Sequence, residues 1–251
     1  MTITTIVGVV IIVLAAVALF VFAVPLRSRV RPVFRSIQGI LRLRRAIGLA
    51  VEDGKRLHVS LGESSLTGSS SAAGLVALST LERIAALSII SDRPPVATSG
   101  EGSLSILSQD KLRVAYREGN AIEQYDPDRG RLTGVTPFSY AAGAIPVIRD
   151  EQVSANVFAG NFGPEVGLMA EAGHQTRSFV VAASDNLPAQ AVIYATAGEP
   201  LIGEELFAVP AYLQAGPFHQ ASLLVQDILR WLVILLILVG IILKLMGINL
   251  L

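Results

Sequence analysis

The sequence contains no cysteine. That excludes disulfides, thiolate zinc sites, iron–sulfur clusters and cysteine nucleophiles, and it fits a reducing compartment without requiring one. Charge is scarce as well: Asp, Glu, Lys and Arg make up 16% of the 251 residues, against 52% hydrophobic residues. Globular chains usually carry about 25% charged residues, so part of this chain is built for a medium other than water. Histidine occurs only as His58, His174 and His219, with no metal-ligand spacing such as His-Glu-x-x-His. A lone histidine in an apolar strand reads first as a packed or hydrogen-bonded residue. There is no Gly-x-Ser-x-Gly elbow, and no Gly-Lys-Ser/Thr phosphate loop. Glu204 and Glu205 are neighbours in sequence, so neither a helix nor a strand aims both at one site. No catalytic set emerges, and neither a metal nor a cofactor is expected.

What is abundant is apolar sequence at the two ends. Residues 3–24 form a run of 22 without a charge, and at about 1.5 Å per residue a helix of that length covers the hydrocarbon core of a bilayer. A signal peptide would carry basic residues before its apolar run and a small-residue cleavage site; here the arginines follow. A second apolar run begins near Trp231, whose amphipathic ring suits the membrane interface. Lys244 lies near its end, where a long side chain reaches the headgroups.

Zero net charge is a cancellation. Residues 1–56 carry nine basic and two acidic side chains (+7), residues 57–229 nine and eighteen (−9), and Arg230 and Lys244 supply the remaining +2. An acidic body argues against nucleic acid as a partner. The expected membrane-surface residues Arg27, Arg29, Arg31, Arg35, Arg42, Arg44 and Arg45 follow the first run closely, and positive charge so placed stays cytoplasmic. The sequence therefore predicts a multi-pass inner (plasma) membrane protein with both termini outside and a cytoplasmic central domain. Its parts are a transmembrane helix over 1–26, a basic connector over 27–53, a soluble domain over 54–222 and a second transmembrane helix over 223–251. In the connector, Val33, Ile37, Ile40, Leu41, Ile47 and Val51 have helical spacing opposite a basic face. Two readings stand side by side: a helix lying on anionic lipid, and one packed on the domain.

In the soluble part, short apolar strand patterns at 57–61, 96–98, 155–159 and 179–183 alternate with helical patterns at 72–90, 103–119, 164–172 and 188–196. Such alternation implies crossover units and a buried, mainly parallel sheet. The predicted class is thus α/β, a three-layer, Rossmann-like domain with a mainly parallel sheet. Residues 120–131 read as polar and turn-rich, 138–148 as small and apolar with Gly143 and Pro146 inside, and 198–216 as a loop rich in glycine, proline and aromatics.

Ligands of open α/β sheets favour the carboxyl ends of strands. Gly68, Ser69, Ser70 and Ser71 lie in the first such loop, where backbone N–H groups and the following helix start offer an anion cradle; the plainer reading is helix capping. Asn161 and Gly163 lie in the third, where Glu165 reads as an internal counter-charge to the helix end. Glu101, in the second, would repel a phosphate. Glu204, Glu205, Phe207 and Tyr212 form a candidate self-association segment, against the alternative of a loop folded over its own domain.

Several stretches taken together are familiar: GKRLHVSLG (54–62), SDRPPVATSG (91–100), YAAGA (140–144), NVFAGNFGPEVGLMAEAG (156–173), YATAGEPLIGEELFA (194–208) and QDILRWLVILLIL (226–238). The set resembles a family of bacterial, Chloroflexota-like membrane proteins defined by a domain of unknown function. The resemblance spans nearly the whole chain. It implies a two-span layout and transfers no catalytic residue. The expected function is a membrane scaffold or accessory protein, tethered to the bilayer and self-associating as a homo-oligomer or within a membrane complex. The alternative is a tethered sensing domain for a nucleotide or small anion.

Overall fold

The computed structural model describes residues 3–27 and 34–245; Arg29 and Arg31 lie outside them. In chain order the elements are α1 (Ile3–Arg27), α2 (Gln38–Glu52), β1 (Arg56–Gly62), α3 (Ser71–Leu87), β2 (Val96–Ser99), α4 (Gly102–Glu118), β3 (Gly130–Leu132), α5 (Pro137–Asp150), β4 (Val153–Asn161), α6 (Val166–Gln175), β5 (Phe179–Ser184), α7 (Leu187–Thr196), β6 (Glu199–Leu201), α8 (Glu205–Tyr212) and α9 (Pro217–Leu245). They divide into two compact units, Arg35–Ala215 and the two chain ends, Met1–Phe34 with Gly216–Leu251.

In the unit made by the ends, α1 packs on α9. The Phe20 and Phe218 rings meet edge to face at 6.0 Å, and Ala23, Ala221 and Val225 are buried. Most other large apolar side chains are bare, including Ile12, Leu14, Val24, Trp231 and Leu235. By length and composition α9 is long and apolar enough to cross a membrane, while the apolar helical stretch within α1, Gly8–Val24, is shorter.

In the central unit the described strands form one six-stranded sheet in the order β3-β2-β1-β4-β5-β6, parallel throughout. Parallel strands need crossovers, and crossover helices cover both sheet faces. Accordingly both residue parities of β1, β4 and β5 are buried. Phe158, Val180 and Ala182 meet the apolar sides of α5, α6 and α7 in one cluster built around Tyr140, Phe162 and Met169. At the amino ends, Glu151 accepts from Arg56 at the start of β1 and from Arg131 in β3.

Three segments differ from the sequence expectation. The turn-rich stretch 120–131 contains two single 3-10 turns and the first residues of β3; a three-residue strand is too short to show alternation. The apolar stretch 138–148 is part of α5 despite Gly143 and Pro146. Its start is fixed by a capping box between Thr136 and Ser139 with Pro137 in the first turn, both strong helix openers. The 198–216 stretch holds β6 and α8, with Leu206, Ala208, Val209 and Ala211 buried.

Of the two readings of the connector, most of its predicted apolar stripe follows the second: Ile37, Ile40 and Ile47 are buried, whereas Leu41 is exposed, Val51 half-buried and Val33 outside the described residues. Ile40, Leu43, Ile47 and Ala50 of α2 are buried, and α2 lies against β1, β4, β5 and β6. Arg42 pairs with Glu199 and Arg35 with Glu205 at 3.6 Å, which fastens the first half of α2 and the residues just before it within the unit. Removing a fully buried leucine costs the transfer free energy plus a cavity term. Leu43→Ala should therefore destabilise the central unit by about 2–4 kcal/mol. Hydrogen exchange of the slowest β1 and β4 amides reads this directly; unchanged exchange would show α2 to be dispensable.

Candidate functional site at the carboxyl ends of the strands

The strand order reverses between β1 and β4, and ligands of doubly wound sheets settle in the crevice outside the carboxyl ends at such a reversal. The two strands pair from Leu57↔Ala155 to Ser60↔Phe158, with a register irregularity before Gly62↔Asn161. Gly62 has φ +70°, and a Cβ there would run into the Asn161 carbonyl; only glycine avoids both penalties. The chain beyond is stitched to its neighbours. Glu63 N–H donates to Asn161 O at 2.8 Å and Gly100 N–H to Gly62 O at 2.9 Å. Asn161 N–H donates to Ser64 Oγ at 3.1 Å. The loops after β1, β2 and β4 thus form one platform, and the Glu63 side chain fills the space left by the missing Cβ of Gly100.

Two carboxylates stand out on that platform. Glu63 Oε1 is buried without a hydrogen-bond partner. Burial, and then the charge of Glu165, push the Glu63 carboxyl above its usual range. Glu165 is 1% exposed. Its Oε1 accepts from Gly163 N–H at 2.6 Å, whereas Oε2 is buried and unpartnered. A buried acceptor left without a donor costs about 1–3 kcal/mol, more when charged, so both oxygens call for a donor. The other acids nearby are already satisfied. Glu101 caps α4 by accepting from Leu104 N–H at 2.9 Å, and Asp185 accepts from Asn161 Nδ2 at 2.6 Å.

Beneath the platform a polar row crosses the sheet under α5. On β1, His58 and Ser60 alternate with Leu57, Val59 and Leu61, so they share one face. Asn156 Oδ1 lies 2.9 Å from His58 Nδ1, and Asn156 Nδ2 donates to Ser178 Oγ at 2.7 Å. Ser178 in turn donates to Gly173 O at 2.9 Å. An amide oxygen only accepts, which assigns the imidazole proton to Nδ1; Nε2 then accepts from Thr98 Oγ1 at 2.8 Å. The Tyr140 hydroxyl accepts from Ser60 and, at 3.3 Å, from Gly62 N–H, and donates to Thr98 O at 3.3 Å. All of these groups are buried and satisfied. Burial keeps His58 neutral, with its pKa lowered to about 4, and pushes the Tyr140 phenol up to about 12.

The residues singled out from sequence are only partly gathered here. Asn161 and Gly163 sit on the platform. Gly68 and Ser69 are exposed and build a local turn: Gly68 N–H donates to Ser65 O, Ser71 N–H to Gly68 O, and Ser65 N–H to Ser70 Oγ. Glu205 faces Arg35, and Tyr212 donates to Arg35 O. Phe207 is half-buried and Glu204 exposed. Arg27 ends α1, and Arg44 and Arg45 lie on the outer side of α2. Sequence reasoning read His58 as a packed or hydrogen-bonded residue, as it is, but missed Glu63 and the partners of His58 in the row, Thr98, Tyr140 and Asn156. The available signal was the placing of His58 and Ser60 at alternate positions of an otherwise apolar strand.

Two cavities open away from the platform. One, of about 620 Å³, lies between β3 and α5 and includes Arg131 and Glu151. The other, of about 520 Å³, lies at the amino ends of β4 and β5 and includes Asp53, Lys55 and Arg149. Their charged linings are largely matched internally, by Arg131 with Glu151, Lys55 with Asp53 at 3.8 Å and Arg149 with Gln175 at 2.6 Å. Each cavity also holds an unmatched hydroxyl, Thr133 Oγ1 in the first and Ser154 Oγ in the second; the platform differs in that its unmatched acceptors are carboxylate oxygens. Fold and site together thus define a parallel α/β domain with two incompletely matched carboxylates at the carboxyl end of its strand reversal.

Across residues 1–251 the chain matches the family described as Domain of unknown function (DUF6754), and it belongs to that family. No curated protein matches it, and no solved structure does.

The neutral imidazole has a pH signature. Its folded pKa lies below the unfolded value of 6.5, so on acidification the unfolded chain binds a proton that the folded chain refuses. Stability should fall as pH drops from about 6.5 to about 4, by roughly 3 kcal/mol in all, and this contribution should be flat above the window. Denaturant midpoints across that range test it. His58→Gln should flatten this part of the slope, and an unchanged slope would reject the assignment.

Proposed function

We propose that the chain is a membrane-tethered small-molecule-binding domain whose ligand sits at the β1/β4 reversal and donates hydrogen bonds to Glu63 and Glu165. The observation that carries this reading is the pair of buried, unpartnered carboxylate oxygens at the place where doubly wound folds hold ligands. Two carboxylates disfavour a phosphate there. The ligand is therefore neutral or cationic and rich in hydroxyl or amine donors, as a nucleoside, polyol or amine is, rather than the nucleotide or small anion that the first loop suggests in the sequence.

The self-associating scaffold has less support. The anchors of its segment are engaged within their own unit, through Glu205 and Tyr212 on Arg35 and the burial of Leu206 and Val209.

The tether is α9 together with α1. Exposed apolar side chains on both helices support two crossings, and the arginines after α1 support a cytoplasmic central unit. Protease added to intact spheroplasts should leave Arg35–Ala215 uncut; digestion from outside would overturn the topology.

A thermal-shift panel of nucleosides, polyols and amines against phosphorylated counterparts tests the site. Members of the first group should raise the melting midpoint. Glu165→Gln should abolish that rise. Glu63→Gln should abolish it too while stabilising the ligand-free protein, because it removes a buried charge and its repulsion with Glu165. Stabilisation only by anions, or by none of the compounds, would sink the reading.

A further inference from the structure

Helix α2 carries two distinct stripes. Ile40, Leu43, Ile47 and Ala50 face the sheet and are buried. Leu41, Arg44, Arg45, Gly48 and Leu49 recur at the i, i+3, i+4 spacing of a single helix side, and all five are exposed. Leu41 is 48% and Leu49 52% exposed. The guanidiniums of Arg44 and Arg45 have no ion-pair partner among the described residues, unlike Arg35 and Arg42. Arg83 of α3 adds to the same electropositive region: after burial, the charge of Arg44 is what holds its guanidinium below the ordinary arginine value. Water alone would solvate the arginines but not the two leucines that flank them. Another protein surface with a hydrophobic core would bury the leucines but would have to match two close cations with acids. A bilayer surface with anionic headgroups satisfies both, phosphates meeting the arginines and the interface taking up the leucines.

We propose that the outer stripe of α2 docks the central unit on anionic lipid headgroups. The proposal rests on the membrane reading above but not on the ligand site. Because the inner apolar stripe already serves the domain core, α2 does not insert as a free amphipathic helix. It lies on the surface as one side of a folded domain, held mainly by charge and therefore weakened by salt.

The absence of cysteine makes the test direct. The full chain carrying Leu41→Cys is placed in nanodiscs of phosphatidylcholine alone, or mixed with phosphatidylserine, and reacted with a neutral maleimide. Glu123→Cys, on an exposed turn beside α4, serves as the control for reagent access and folding. Labelling at position 41 should be slower in the anionic discs by at least about fivefold. High salt should reverse that protection, and it should fall by roughly fivefold for each of Arg44→Gln and Arg45→Gln, as expected for about 1 kcal/mol per basic residue. The control rate should not change. Equal labelling of position 41 in both lipids would overturn the proposal, whether fast or slow, since slow labelling in both shows a protection that does not depend on lipid charge. Failure of the chain to enter nanodiscs at all would overturn the membrane reading and this proposal with it, whereas docking without any ligand response leaves only the binding site refuted.

Discussion

The pairing of β1 with β4 is the contact on which the rest of the unit depends. It joins the two halves of the sheet, one wound outward through β2 and β3, the other through β5 and β6. The close approach at its carboxyl end admits no side chain on Gly62. From that approach follow the turn of Glu63 over the Asn161 carbonyl, the tie of Gly100 to Gly62 and the seat of Ser64 beneath Asn161. The platform therefore owes its shape to backbone packing, and each candidate carboxylate is left with one oxygen unpartnered on it, Glu63 Oε1 and Glu165 Oε2.

The polar row under α5 has a different logic. A parallel sheet buried on both faces offers little reason to include His58, Ser60, Thr98 and Asn156, since polar atoms in such a place must be paired. Here each is paired in a chain with one consistent donor direction, ending on the Gly173 carbonyl at one side and the Tyr140 hydroxyl at the other. A mismatched register between β1 and β4 would leave several of these groups unsatisfied at once. The row thus discriminates against slipped pairings that an apolar sheet would tolerate. Set against these satisfied groups, the two bare oxygens of Glu63 and Glu165 are conspicuous.

Helix α2 shows how one segment serves two media. Its connector position and arginines suggest a lipid-facing element, while its apolar stripe is committed to the domain. The structure reconciles the two, because residues one position apart on a helix face different sides: Ile40 and Leu43 inward, Leu41 and Arg44 outward.

The α/β class, the alternation of most strands and helices and the apolar ends were legible in the sequence, because each is a local matter of periodicity, composition and turn residues. The missed elements were those in which local signals are short or contradictory: β3 and β6 at three residues each, and α5 and α8 with prolines inside. Tertiary packing decided these, through the buried faces around Tyr140 and Leu206. It alone decided the strand order, and hence that Glu63 and Glu165, a hundred positions apart in the chain, stand on one platform. Hydrophobic patterning tells a residue which way to face and says nothing of which strand will lie beside it. That choice belongs to the crossover connections and to the fit of β1 against β4.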